Sequence, residues 1–188
     1  KQVGEAPTHI DVDGIKRPTT DSTGAPIHTT EEGVKNFWKS FGDTKVVDEE
    51  GRPIRVYHGT RAGDFTVFDP SKGASHGKKD FLAKLGSNFS KDYSVAARFA
   101  TGDAQFGHTV SPIGHVKEAY IRMVNPLIVT NEKDAKRLFN PAVHDGIIYK
   151  NEAGLETKHA ADVTAYVVPS STQIKSATEN KGTFDTTK

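Results

Sequence analysis

Three short segments carry residue types that can grip a flat polar ligand. The first is Tyr57-His58-Gly59-Thr60, at the end of a predicted strand. A glycine at such a point lets a planar group approach the backbone. Its N–H and C=O can bond a carboxamide, and the neighbouring imidazole can reach a ribose hydroxyl. The second is Gly86-Ser87-Asn88-Phe89-Ser90, followed by a predicted helix with Ala96-Ala97-Arg98-Phe99. Small residues and one aromatic at this spacing can form a slot with an aromatic wall. The third is Thr164-Ala165-Tyr166-Val167-Val168, with Gln173-Ile174-Lys175-Ser176-Ala177 after it. Each segment alone also has a plain reading: a turn at a strand end, an amphipathic helix packed by Val95 and Phe99, and a buried strand with a turn.

Other chemistries find less support. The eight histidines are scattered, with no His-x-x-x-His pair and no acid at ligand spacing, so a metal-dependent hydrolase is disfavoured. The chain has no cysteine, which excludes disulfides, thiolate metal sites and a cysteine nucleophile. A net charge of +1, with Lys and Arg spread along the chain, argues against a broad phosphate-binding surface. No apolar run approaches the roughly 18 residues of a membrane helix. No signal peptide is visible and the first residue is Lys1, so the chain reads as a segment of a longer protein.

The elements that must position these segments follow from pattern. Residues 1–30 are rich in Thr, Gly, Pro and Asp and read as an extended lead-in arm with short strands at most. Thr30 caps a helix whose Val34, Phe37, Trp38 and Phe41 fall at helical spacing, ended by Gly42; Trp38 reads as a core anchor. Val46-Val47 and Ile54 to Tyr57 flank a turn-rich stretch, a hairpin signature. Phe65 to Pro70 alternates, and residues 71–85 and 101–115 read as loops around a helix near 92–100. Strands are predicted at 119–124, 127–129, 146–149, 163–168 and 173–177, with a short helix at 132–139. With 188 residues, mostly strands and few short helices, the class is α+β with an antiparallel-rich sheet core.

The order of the three segments resembles the ADP-ribosyltransferase superfamily, in the branch of diphtheria-type toxins and poly(ADP-ribose) polymerases. Thr44 through Thr60, Asn125-Pro126-Leu127, Asp145-Gly146-Ile147-Ile148, and Gln173 through Asp185 are similar to the transferase domains of phage polyvalent proteins and of bacterial polymorphic toxins. The likeness covers roughly residues 35–185. It implies a split sandwich of two antiparallel-rich sheets over residues 31–185, with NAD as substrate. It implies a macromolecular target, a protein in preference to nucleic acid, and no membrane or metal. A further partner would be an immunity protein or the rest of a parent protein, and the place of action the cytoplasm of a host or target cell.

The resemblance also implies roles. His58 would bond the adenosine-side ribose, the Gly59 backbone the nicotinamide carboxamide, and Thr60 would support them. Two nicotinamide-facing aromatics eleven positions apart map to Asn88 and Phe99, with Phe89 and Ser90 beside the first. A hydroxyl-bearing small residue maps to Ala96. In the third motif, Gln173 anchors the match and joins the expected catalytic set, and the family's glutamate falls on Ala165. That carboxylate polarises the ribose as the nicotinamide–ribose bond breaks through an oxocarbenium-like state. Alanine cannot do so, and the expected loss is on the order of a hundredfold or more. Glu152, Glu156 and Asp162 are nearby acids. Val163, two residues before the glutamate position, disfavours arginine as the acceptor. Two readings stay open: a transferase disabled at one position, or a natural NAD-binding or partner-docking module.

Overall fold

The computed structural model describes residues 7–61, 65, 67–69, 81–102, 114–151 and 163–178. Residues 71–80, most of the 101–115 stretch, the acids Glu152, Glu156 and Asp162, and residues 179–188 lie outside the described set.

The chain opens with a two-stranded antiparallel ribbon, β1 (His9–Val12) and β2 (Ile15–Pro18). Helix α1 (Glu31–Phe41) follows. The Thr30 side chain accepts the Gly33 N–H at 3.1 Å, and Glu31 and Glu32 sit at the positive end of the helix dipole. Its apolar stripe, Val34, Phe37, Trp38 and Phe41, is buried with Ile10, Val12, Ile27 and Tyr120. The Trp38 indole N–H donates to the Pro18 carbonyl at 2.8 Å. Residues before position 31 therefore contribute side chains to the core that α1 builds.

The expected hairpin around residues 46–57 is shorter than its pattern. Only Val47 and Pro53 bridge, and the strand proper, β3, runs Val56–Thr60. Pro53 has no N–H to extend a ladder. Asp48 closes the turn instead, accepting the N–H groups of Glu50 and Arg52 and the Arg52 guanidinium. The Gly- and Lys-rich stretch ends in a helix, α2 (Phe81–Leu85), because Phe81, Leu82 and Leu85 pack on an apolar cluster. Strand β4 (Ser87–Ser90) and helix α3 (Tyr93–Thr101) follow, and Gly102 ends α3 at a φ of 73°. Then come β5 (His115–Ile121), β6 (Leu127–Val129), α4 (Glu132–Leu138), β7 (Ile147–Asn151), β8 (Val163–Val168) and, after a 3-10 turn at Ser171–Gln173, β9 (Ile174–Ser176).

Seven strands join in the order β6-β7-β8-β4-β3-β5-β9, all antiparallel neighbours except β6 and β7. The class is α+β with a large mixed sheet, a small sheet and few helices. The two halves expected of a split sandwich, β6-β7-β8-β4 and β3-β5-β9, are linked through one residue pair, Tyr57 with Ser90. One face of the sheet is covered by α1, α3, and the α2–α4 pair. The other buries Val56, Phe89, Ala119, Ile148, Tyr166 and Val168 under the 44–54 segment.

A buried charge network ties the first residues to the sheet. Asp21, fully buried, accepts from Thr23, Ala25, Arg55 and the Tyr120 hydroxyl, while Arg55 also reaches Glu118 at 2.7 Å. Burial alone would raise the Asp21 pKa, but the hydrogen bonds from Thr23, Tyr120 and Arg55 outweigh it and hold the carboxyl below its ordinary value.

Candidate active site

The site is a fork in the sheet. Strand β3 pairs with β5 along its whole length, from Val56–Ala119 to Thr60–His115. Toward β4 it pairs only at Tyr57–Ser90. Beyond that pair, β3 and β4 part, and β4 stays with β8 through Ser90–Ala165, Phe89–Tyr166, Asn88–Val167 and Ser87–Val168.

His58 stands in the fork. Its Nδ1 lies 2.6 Å from the Asn88 carbonyl, bridging strands that no longer share a ladder. A carbonyl only accepts, so Nδ1 carries the proton and Nε2 of the neutral ring is left as an acceptor. Burial lowers the imidazole pKa below its ordinary value, and the Asn88 bond opposes this only in part. The ring is therefore neutral at pH 7. Phe68 and Phe89 pack against it with ring centroids 5.4 Å away, and Phe65 at 6.3 Å.

Gly59 is required by packing. A Cβ there would lie 1.9 Å from the Ala96 carbonyl oxygen and 2.8 Å from the Ala100 nitrogen. The group that approaches this backbone so closely is helix α3, not an open slot, and Ala96 and Ala100 are small and buried for the same reason. Asp92 caps α3 by accepting the Ser94 N–H at 2.7 Å, and its own N–H donates to the Ser90 hydroxyl at 3.0 Å. The buried Ser90 side chain thus fixes the turn from β4 into α3.

Cross-strand register draws a row of five residues through the pair that holds the halves together: Tyr149, Ala165, Ser90, Tyr57 and Glu118. Paired residues share a face of the sheet, so Ala165 is two strand spacings, roughly 10 Å, from Tyr57 and on the same side. Gly59 and Asn88 lie on that side too, as does α3. The structure therefore brings Gly59, Asn88, Ser90, Ala96 and Ala165 together around the fork. Phe99, on α3, is half exposed. Tyr93, also on α3, meets the Tyr57 ring edge-on at 5.4 Å.

Other expected residues take different places. Phe89, next to Asn88 in the chain, is 2% exposed and backs the His58 ring from within the core, since strand alternation turns it away from Asn88. The Asn88 amide is tied to the Gly86 carbonyl at 3.2 Å. Thr60 is buried. Gln173, expected in the catalytic set, acts in the scaffold. Its amide N–H groups bond the Arg122 and Asp145 carbonyls, and its amide oxygen accepts the Ser170 N–H. With donors and acceptor committed to three segments, it holds the turn before β9. Pattern alone missed Tyr149, which pairs with Ala165. Register is a tertiary property, and no spacing along the chain announces it.

A family model described as ADP-Ribosyltransferase in polyvalent proteins matches residues 48–184. The chain belongs to this ADP-ribosyltransferase family. No curated protein and no solved structure matches it. The match takes in every strand of the transferase sheet, from β3 to β9, and leaves α1 and the β1–β2 ribbon before it. Among the described residues of this transferase domain, no cluster of three or more His, Cys, Asp or Glu could hold a metal, and no helix is long and apolar enough to cross a membrane.

Proposed function

We propose that this domain binds NAD at the fork and is built to transfer ADP-ribose to a macromolecular target, a protein, in a form disabled by Ala165. The observation that carries the reading is the row through Ala165, Ser90 and Tyr57 at the fork, where a neutral His58, packed on Phe89 at the opposite face of the sheet, bridges the parted strands and keeps Nε2 as an acceptor. A ribose hydroxyl can donate to that nitrogen. The half-exposed Phe99 offers a ring face for the nicotinamide. In the transfer, the C–N bond between ribose and nicotinamide breaks, and its electron pair leaves with the nicotinamide. An acceptor atom of the target attacks the anomeric carbon and gives up its proton. A carboxylate at 165 would accept a hydrogen bond from the adjacent ribose hydroxyl and stabilise the developing positive charge. The methyl group of Ala165 supplies neither.

The test is restoration. The Ala165→Glu protein should hydrolyse NAD or label a target at least about a hundredfold faster than the parent chain. Calorimetry with NAD should give similar binding to both. If neither protein binds NAD, the reading is wrong. Binding to both with no turnover after restoration would instead favour a natural NAD-binding or partner-docking module, which the alanine itself also suits. We place the action in the cytoplasm of a host or target cell, as an effector or toxin of a phage or mobile element, with an immunity protein or the rest of a parent protein as further partner.

A further inference from the structure

Strand β8 has a second use on the face turned away from Ala165. Thr164 and Tyr166 flank that alanine and point to the opposite side of the sheet. There, with Ile148 and Lys150 of β7 alongside, they line a half-open cavity of about 480 Å³ flanked by the 45–54 turn. This is within the size range of small-ligand sites. Its inner wall is apolar, formed by Val47, Ile54 and Ile148 around the Tyr166 ring. Tyr166 is 3% exposed, yet its hydroxyl makes no hydrogen bond among the described residues. No fully enclosed side-chain polar atom lacks a partner there, so the part of Tyr166 still accessible is that hydroxyl, and it opens into the cavity. Burial pushes the phenol pKa up to about 12, so it is a donor at neutral pH.

The mouth is charged in a one-sided way. Lys45, Lys91 and Lys150 line it and form no ion pair among the described residues. Of the three acids nearby, Asp48 and Glu50 are held by Arg52. With Arg52 shared between two acids, four cationic side chains face three carboxylates, so the lining carries a net charge of +1, and its three ammonium groups outside any ion pair among the described residues suit a phosphate monoester. We propose that this cavity is a binding site for a small phosphate monoester with a flat apolar ring: the ring lies against Ile54, Ile148 and Tyr166, and the phosphate meets the Tyr166 hydroxyl and the three lysines. The proposal does not depend on NAD binding at the fork.

Phenyl phosphate is the probe, titrated into the isotope-labelled chain and followed by amide NMR. Shifts should centre on Lys91, Lys150, Thr164 and Tyr166. Tyr166→Phe, which removes one oxygen, should weaken binding at least about fivefold. Lys150→Gln, at an exposed position that does not endanger folding, should weaken it and flatten its salt dependence. Benzyl alcohol, which keeps the ring without the charge, should bind at least about tenfold more weakly. An absence of shifts, shifts centred on Gly59, Ser90 and Phe99, or unchanged affinity in both variants would each overturn the proposal.

Discussion

On the proposed function, the side chain at position 165 is what separates a scaffold from a catalyst. Ala165 shares its row with Ser90 and Tyr57, so a longer side chain there extends over the fork face rather than into the core. Charge, not size, should decide the outcome: Ala165→Glu should gain NAD turnover, while Ala165→Gln, of nearly equal volume, should stay at the parent rate, as read by nicotinamide release. His58 makes a second prediction at this scale. Its native pKa is lowered by burial while the unfolded chain keeps a value near 6.5, so between those two values the unfolded state binds more protons. Its contribution to stability is complete above about pH 6.5 and is lost as pH falls through the native pKa. Urea midpoints measured from pH 7.5 down to 5 should fall for the parent chain, and His58→Gln should flatten that part of the slope.

Among elements, the contact of α3 with β3 is the tightest constraint on the site. Gly59→Ala forces a methyl group into the backbone of α3, where rigid atoms rather than a flexible side chain stand in the way. A loss of about 3 kcal/mol in the unfolding free energy is expected from overpacking of this kind, with NAD affinity lost in parallel. An unchanged denaturation curve would mean that α3 lies elsewhere. The clamp formed by Asp21, Arg55, Glu118 and Tyr120 works between elements as well. Asp21→Ala leaves part of a buried guanidinium uncompensated and four polar groups without their acceptor. Breaking a buried pair of this type costs about 3–5 kcal/mol, measurable by urea unfolding.

For the whole molecule, the question is how far the domain extends toward its first residue. The boundary expected at residue 31 would leave Trp38 without the Pro18 carbonyl and expose the stripe that Ile10, Val12 and Ile27 cover. A chain beginning at residue 31 should show red-shifted emission from its single tryptophan and a lower Tm than the 188-residue chain. Identical emission and Tm would instead establish residues 1–30 as a separable arm. The β3–β4 fork belongs to this scale too. One residue pair joins the two halves of the sheet.

Much was legible along the chain because it depends on local periodicity and capping. The Thr30 cap, the 3.6-residue stripe of α1, the helix near 92–100 and strands β6 to β9 all follow from residues within one element. The family was legible as well, since His58-Gly59-Thr60 and the Gln173 segment keep their types and order. What needed tertiary structure was everything that depends on which strand lies beside which. Register put Ala165 next to Ser90 and turned Phe89 inward. The packing of α3 leaves no room for a side chain at Gly59. The amide of Gln173 was taken up by carbonyls 28 and 51 residues away in the chain. Periodicity records which face of an element is apolar; it holds no record of the partner that face will meet, because strand pairing joins residues whose separation in sequence carries no chemical mark.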